Sequence, residues 1–147
     1  MDINVAAGEK IAVIGTIDPA TVANTEVFTD VIDMSKFHQA LGIALIGNVA
    51  SETIDFKAYS CASGGGSAAS LKDATQLAAH ASNNDNTQLV INVRAEDMQA
   101  SGQQYIKFGL VTGGATGGPC SVVALGVDPK FSPASDSDLA SVQQIKF

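Results

Sequence analysis

Ile54-Asp55-Phe56-Lys57-Ala58-Tyr59-Ser60-Cys61 alternates apolar and polar side chains almost without a break. A strand sends successive side chains to opposite faces. The stretch from Thr53 to Cys61 therefore predicts a β-strand with Ile54, Phe56 and Ala58 on a buried face and Asp55, Lys57 and Tyr59 on the other. Three later segments repeat the pattern. Leu89, Ile91 and Val93 point inward and Gln88, Asn92 and Arg94 outward between Gln88 and Arg94, and Ile106, Phe108 and Leu110 alternate with Tyr105, Lys107 and Gly109. Val123, Leu125 and Val127 alternate with Val122, Ala124 and Gly126, so that strand is apolar on both faces. Such a strand is central in a sheet or covered by a partner.

Outward from these four, Lys10 to Ile17 and Thr25 to Met34 read as strands that end in turn chemistry. In Ser35 to Ile46, the residues Phe37, Ala40, Leu41, Ala44 and Leu45 fall at helical spacing behind a possible Ser35 cap. The preferred reading is a helical turn over Ser35–Gln39 and a strand over Ala40–Gly47, with one continuous helix as the alternative. Leu71 to Ala81 reads as a short alanine-rich helix or an irregular crossover. Ser63–Ser67 and Ser82–Asn86 read as exposed loops. About seven short strands, without strand–helix alternation or a repeat period, predict an all-β fold, an antiparallel two-sheet β-sandwich of jelly-roll-like type. The expected layout is an N-terminal arm over 1–9, the sandwich over 10–127 and an extended C-terminal arm over 128–147. That last segment holds Pro129 and Pro133, the acids Asp136 and Asp138, and a closing Val142, Ile145 and Phe147.

Composition narrows the function classes. The chain has 147 residues, 46% of them apolar and only 16% charged, which suits one packed domain and not a disordered chain. Eight Lys and Arg against 15 Asp and Glu leave a net charge of −7, and this argues against a nucleic-acid partner. The longest apolar stretch, Ala40 to Ala50, is interrupted by Gly42, Gly47 and Asn48 and is too short to span a bilayer, so no membrane partner is expected. Met1-Asp2-Ile3-Asn4 lacks the basic run and apolar stretch of a secretory signal. Cys61 and Cys120 match neither a zinc spacing nor a CxxC pair, and they read as free thiols of a protein made in a reducing cytosol.

The residues that carry chemistry elsewhere are more simply accounted for as structure here. Gly113-Gly114-Ala115-Thr116-Gly117-Gly118-Pro119 lacks the Gly-Lys-Ser/Thr ending of a phosphate loop and reads as a hairpin loop between two strands. His38 and His80 sit in no recognisable nucleophile context. Asn83 with Asp85, and Asp136 with Asp138, lack the glycine and closing Glu of a calcium loop. Glu96-Asp97 are adjacent and would point apart on a strand, so they form no carboxylate dyad. The expectation is a protein without catalytic, cofactor-binding or metal-ligating residues, and not an enzyme.

Several ordered pieces carry a resemblance. Asp33-Met34-Ser35-Lys36-Phe37 precedes an apolar strand, then come Ile54–Cys61, a Gly/Ser loop, Leu89–Asp97, Gln104-Tyr105-Ile106-Lys107-Phe108 and the glycine-rich loop. Val122–Val127 and Asp128-Pro129-Lys130-Phe131-Ser132-Pro133-Ala134-Ser135 complete the series, which covers most of residues 30 to 140. Together they resemble small head-auxiliary proteins of tailed bacteriophages, the capsid cement or decoration proteins. The resemblance implies a β-sandwich, a dimer or trimer, that binds the outer surface of the major capsid protein lattice and stabilises the phage head. It implies a virion location on the capsid exterior, after synthesis in the bacterial cytoplasm. Apolar side chains outside the strand pattern supply the expected contacts with capsid or neighbouring subunit: Ile3 and Val5 in one arm, Phe131, Leu139, Ile145 and Phe147 in the other. The same arms read equally well as folding back over their own sandwich. The alternative function is a carbohydrate-binding or receptor-binding β-sandwich of a phage virion. It is disfavoured by the absence of Trp and by having only Tyr59 and Tyr105 as tyrosines.

Overall fold

A computed structural model describes residues 5–49, 52–74, 76–77 and 85–146. The strands are β1 (Ile11–Val22), β2 (Val27–Phe28), β3 (Ile32–Asp33), β4 (Phe37–Ile46), β5 (Ile54–Cys61), β6 (Ala69–Asp73), β7 (Gln88–Arg94), β8 (Tyr105–Thr112) and β9 (Gly118–Pro129). One sheet has the order β1-β9-β4-β7, and the other β2-β8-β5-β6 with β3 also on β8. Every pairing is antiparallel. The protein is thus an all-β sandwich. If β2 and β3 count as one interrupted strand, its eight strands pair first with last, second with seventh, third with sixth and fourth with fifth. That is a hairpin rolled up on itself, the jelly-roll order.

The inner faces fit because one is lined by small side chains and the other by large ones. β1, β4 and β9 turn Ala12, Ala40, Gly42, Ala44, Ala124 and Gly126 inward, all in the cross-strand register of one sheet. Opposite them lie Phe56, Ile106, Phe108 and Leu110, fully buried, with Phe56 and Phe108 stacked at 5.8 Å between centroids. A Cβ on Gly42 would stand 2.6 Å from the Phe108 ring, and one on Gly126 would stand 2.6 Å from the Phe37 ring. Glycine at these two points lets a phenyl ring lie directly on the strand backbone.

Several local expectations are corrected. The stretch Thr25–Met34 is not one strand, because Thr29 and Asp30 divide it. The Thr29 hydroxyl accepts a hydrogen bond from the Phe108 N–H at 3.0 Å, and the Asp30 carboxylate accepts one from the Thr16 N–H of β1 at 3.2 Å. No helical turn occupies Ser35–Gln39. Asp33 accepts from the Ser35 N–H at 2.9 Å, which closes the turn early, and β4 is already extended at Phe37. Leu71–Asp73 belongs to β6 rather than a helix, and Leu77 bridges Ile54, while residues 78–81 lie outside the described residues. The glycine-rich segment is not a hairpin loop, since β8 and β9 lie in different sheets. It crosses between them, held by the Glu52 carboxylate, which accepts from the Thr116 and Gly117 N–H groups at 3.0 and 2.9 Å. The C-terminal segment does not simply extend away. Ala134 is buried in the core cluster, the Leu139 N–H donates to the Val13 carbonyl at 2.8 Å, and the Val13 N–H donates to the Asp138 carboxylate at 2.6 Å.

Candidate interaction surfaces

The outward positions of the four-stranded sheet form a continuous apolar face. Ile11 and Val13 of β1 stand beside Leu125 and Val127 of β9, and Leu125 and Val123 stand beside Leu41 and Ile43 of β4. Ile43 in turn pairs with Val90 of β7. Val90 is 58% exposed and Leu45 46% exposed, while the central members shield one another to half-burial. The ends of this face are polar. At one end Gln39 donates to Asp128 and accepts from Asn92, both at 3.0 Å, next to Arg94, whose guanidinium pairs with Glu96. At the other end stand Ser121 and Gln88, which flank Leu45 in the register.

Both edges of the same sheet carry caps. On β1, the Val13 and Thr16 N–H groups are taken by Asp138 and Asp30. On β7, Lys72 donates to the Asn92 carbonyl at 3.0 Å, and Asp97 accepts from the Arg94 N–H at 2.8 Å and pairs with Lys72. Hydrogen bonds from Lys72 and Arg94 hold the Asp97 carboxyl below its usual range against a small opposing effect of burial. Charges placed in this way blunt an edge strand against pairing with another chain.

On the outer side of the five-stranded sheet, polar and aromatic side chains cluster around Phe28, which stays 41% exposed. The Tyr59 hydroxyl donates to Glu26 at 2.7 Å, the Tyr59 and Phe28 rings meet edge to face at 5.7 Å, and the Lys107 ammonium lies 4.0 Å over the Phe28 ring. Burial, together with the bond to Glu26, pushes the Tyr59 hydroxyl well above the usual phenol range. Gly109 gives this cluster room, since a Cβ there would meet Glu26, Tyr59 and Phe28 at 3.0 Å or less.

The expected contact residues fall in different settings. Val5 is exposed and shares a hollow with Glu9, Ser132 and Pro133, so the two terminal segments converge, and Phe131, the next residue back, is 78% exposed. Ile145 is exposed near the C-terminus. Leu139 is half-buried beside a hollow also lined by Ile14, Val31, Ile32 and Phe37, and its N–H donates to the Val13 carbonyl. Ile3 and Phe147 lie outside the described residues, as do His80 and Asn83. His38 is exposed beside Arg94 and Glu96. Cys61 and Cys120 are buried free thiols, both pushed up by burial. Among the described residues no cluster of His, Cys, Asp and Glu is arranged to hold a metal, and no helix is long and apolar enough to cross a membrane.

Apolar character on both faces of β9 is visible in the sequence, but the face it belongs to is not. The signal lay in Leu41, Ile43 and Leu45 alternating with Ala40, Gly42 and Ala44, and helical spacing in the same stretch masked it.

No protein-family model matches the chain, and no curated protein matches it. Among solved structures it is similar to a chain described as "Bacillus endospore appendages form a novel family of disulfide-linked pili", with 10% identity, 87% of this chain and 99% of that chain covered, and a TM-score of 0.45. A likeness of that size carries no argument about function.

Proposed function

We propose that the protein is a non-enzymatic structural subunit of a tailed-phage head, a decoration protein that binds the outside of the assembled major capsid protein lattice and stabilises it. The observation that supports this most is the convergence of the two terminal segments, which leaves Val5 and Phe131 exposed where those segments meet. Exposed apolar side chains grouped in this way are contacts for another macromolecule. An acidic subunit is repelled by packaged DNA and suits an exterior position. Each contact is weak, but a ligand that recognises only the assembled lattice lowers the free energy of every site it fills.

The test is co-sedimentation with tailed-phage heads assembled from the major capsid protein of the same source. The protein stays on the heads through washing, and the Val5→Ser, Phe131→Ser double variant, altered only at exposed positions, is washed off. A variant that stays bound as firmly as the unaltered protein moves the contact elsewhere. Failure of the unaltered protein to sediment with heads, combined with binding on a glycan array, replaces this reading with a carbohydrate-binding one.

A further inference from the structure

We infer that the apolar outer face of the four-stranded sheet is the site where a second copy of this chain docks, face to face, to form a two-fold dimer. The inference deepens the proposed structural role but rests on a different surface from the lattice contact.

Three observations identify the occupant. The first is charge. Each chain carries −7, so two copies repel over most of their surfaces. The centre of this face, Ile11 and Val13 of β1, Val123, Leu125 and Val127 of β9, Leu41, Ile43 and Leu45 of β4 and Val90 of β7, holds no acid, and Asp18 of β1 stands beyond it, past Thr16. The carboxylates around it stand at its margins and are engaged: Asp128 and Glu96 at one end by Gln39 and Arg94, Asp138 and Asp30 along the β1 edge by the Val13 and Thr16 N–H groups.

The second observation is area. Four strands about 4.8 Å apart are about 19 Å wide, and the outward run from Ser121 to Val127 with its side chains is about 27 Å long. Two such faces bury about 1,000 Å² in total, the lower limit for a specific interface. Because the centre of the patch is apolar and both ends are polar, its layout is that of an interface with a core and a rim. Two identical twisted sheets pack with their strands within about 30° of alignment, which a two-fold axis in the plane of contact permits.

The third observation concerns edges. Asp138 and Asp30 on β1, and Lys72 and Asp97 on β7, occupy backbone groups that strand addition would need. Association by extending this sheet is therefore opposed, and its face is left as the route.

The experiment is sedimentation equilibrium of the purified chain without particles, over micromolar to millimolar concentrations. The unaltered protein fits a reversible monomer–dimer equilibrium that tightens as salt rises and screens the net charge. The Leu45→Lys, Val90→Lys double variant sediments as a monomer throughout, and at concentrations where the unaltered chain is monomeric its urea midpoint is unchanged, because both side chains are already exposed. The Val5→Ser, Phe131→Ser variant still dimerises, so failure of the lattice reading and failure of this one are told apart. A monomer at every concentration, or a lysine variant that dimerises as well as the unaltered chain, overturns the inference. A monomer whose lysine variant also loses head binding assigns the face to the capsid lattice instead.

Discussion

Gly42 and Gly126 set the thickness of the sandwich, because each lets a phenyl ring rest on backbone where any side chain would collide. Gly42→Ala is expected to cost about 1–3 kcal/mol by overpacking against Phe108. In the Gly42→Ala, Phe108→Leu double variant the combined loss is smaller than the sum of the single losses, because the smaller partner relieves the collision. Urea midpoints of the three variants check this, and an unchanged midpoint for Gly42→Ala would contradict the packing described. Nothing in the sequence marks these glycines as ring seats. Gly42 reads there as an interruption of an apolar run, and only the strand opposite reveals the ring above it. Phe56 and Phe108 were legible as core positions, because alternation fixes the face a side chain takes whatever lies across from it.

At the scale of elements, edges and terminal segments decide the outcome. Asp33 and Asp97 both titrate below the usual carboxylate range. For Asp33, burial alone would raise the value, but hydrogen bonds from Gln104 and Ser35 outweigh it; for Asp97 the bond from Lys72 dominates. An unfolded Asp titrates near about 3.9, so the stability these groups contribute is complete above about pH 5 and is lost as pH falls through the lower folded values. The urea midpoint therefore drops between pH 5 and pH 3, and Asp97→Asn flattens that drop; an equally steep fall in the variant excludes Asp97 as a contributor. Removal of residues 141–147 should leave the urea midpoint nearly unchanged. Removal from Pro133 onward strips Ala134 from the core and the Asp138 and Leu139 bonds from β1, at about 2–4 kcal/mol. Equal midpoints for the two truncations would show that the docked segment adds nothing. In sequence, 128–147 has the look of one extended arm, because two prolines and scattered apolar residues carry no period. Docking of such a segment depends on which edge lies nearby, and for β1 only the topology supplies that. Strand β4 was half-legible for the opposite reason: apolar residues on both faces satisfy helical and extended spacing at once.

For the whole molecule, the antiparallel two-sheet sandwich was legible from four alternating segments and the lack of strand–helix alternation. A jelly-roll-like type was expected, but which strands pair was not legible, because pairing first with last and second with seventh joins segments that share no local signal. The candidate surfaces were legible only in pieces. Val5 and Phe131 stood out as apolar residues beyond the strands, whereas the face shared by β1, β9, β4 and β7 exists only once four distant segments are side by side. The measurement that bears most directly on the proposed role is DNA release from heads heated with and without this protein. Heads lacking it should release DNA at a lower temperature, and adding back the purified chain should restore the higher one, because binding confined to the assembled lattice stabilises that state by mass action. Identical release temperatures, together with weaker adsorption of the depleted particles to host cells, would contradict the decoration role and assign the sandwich to host recognition.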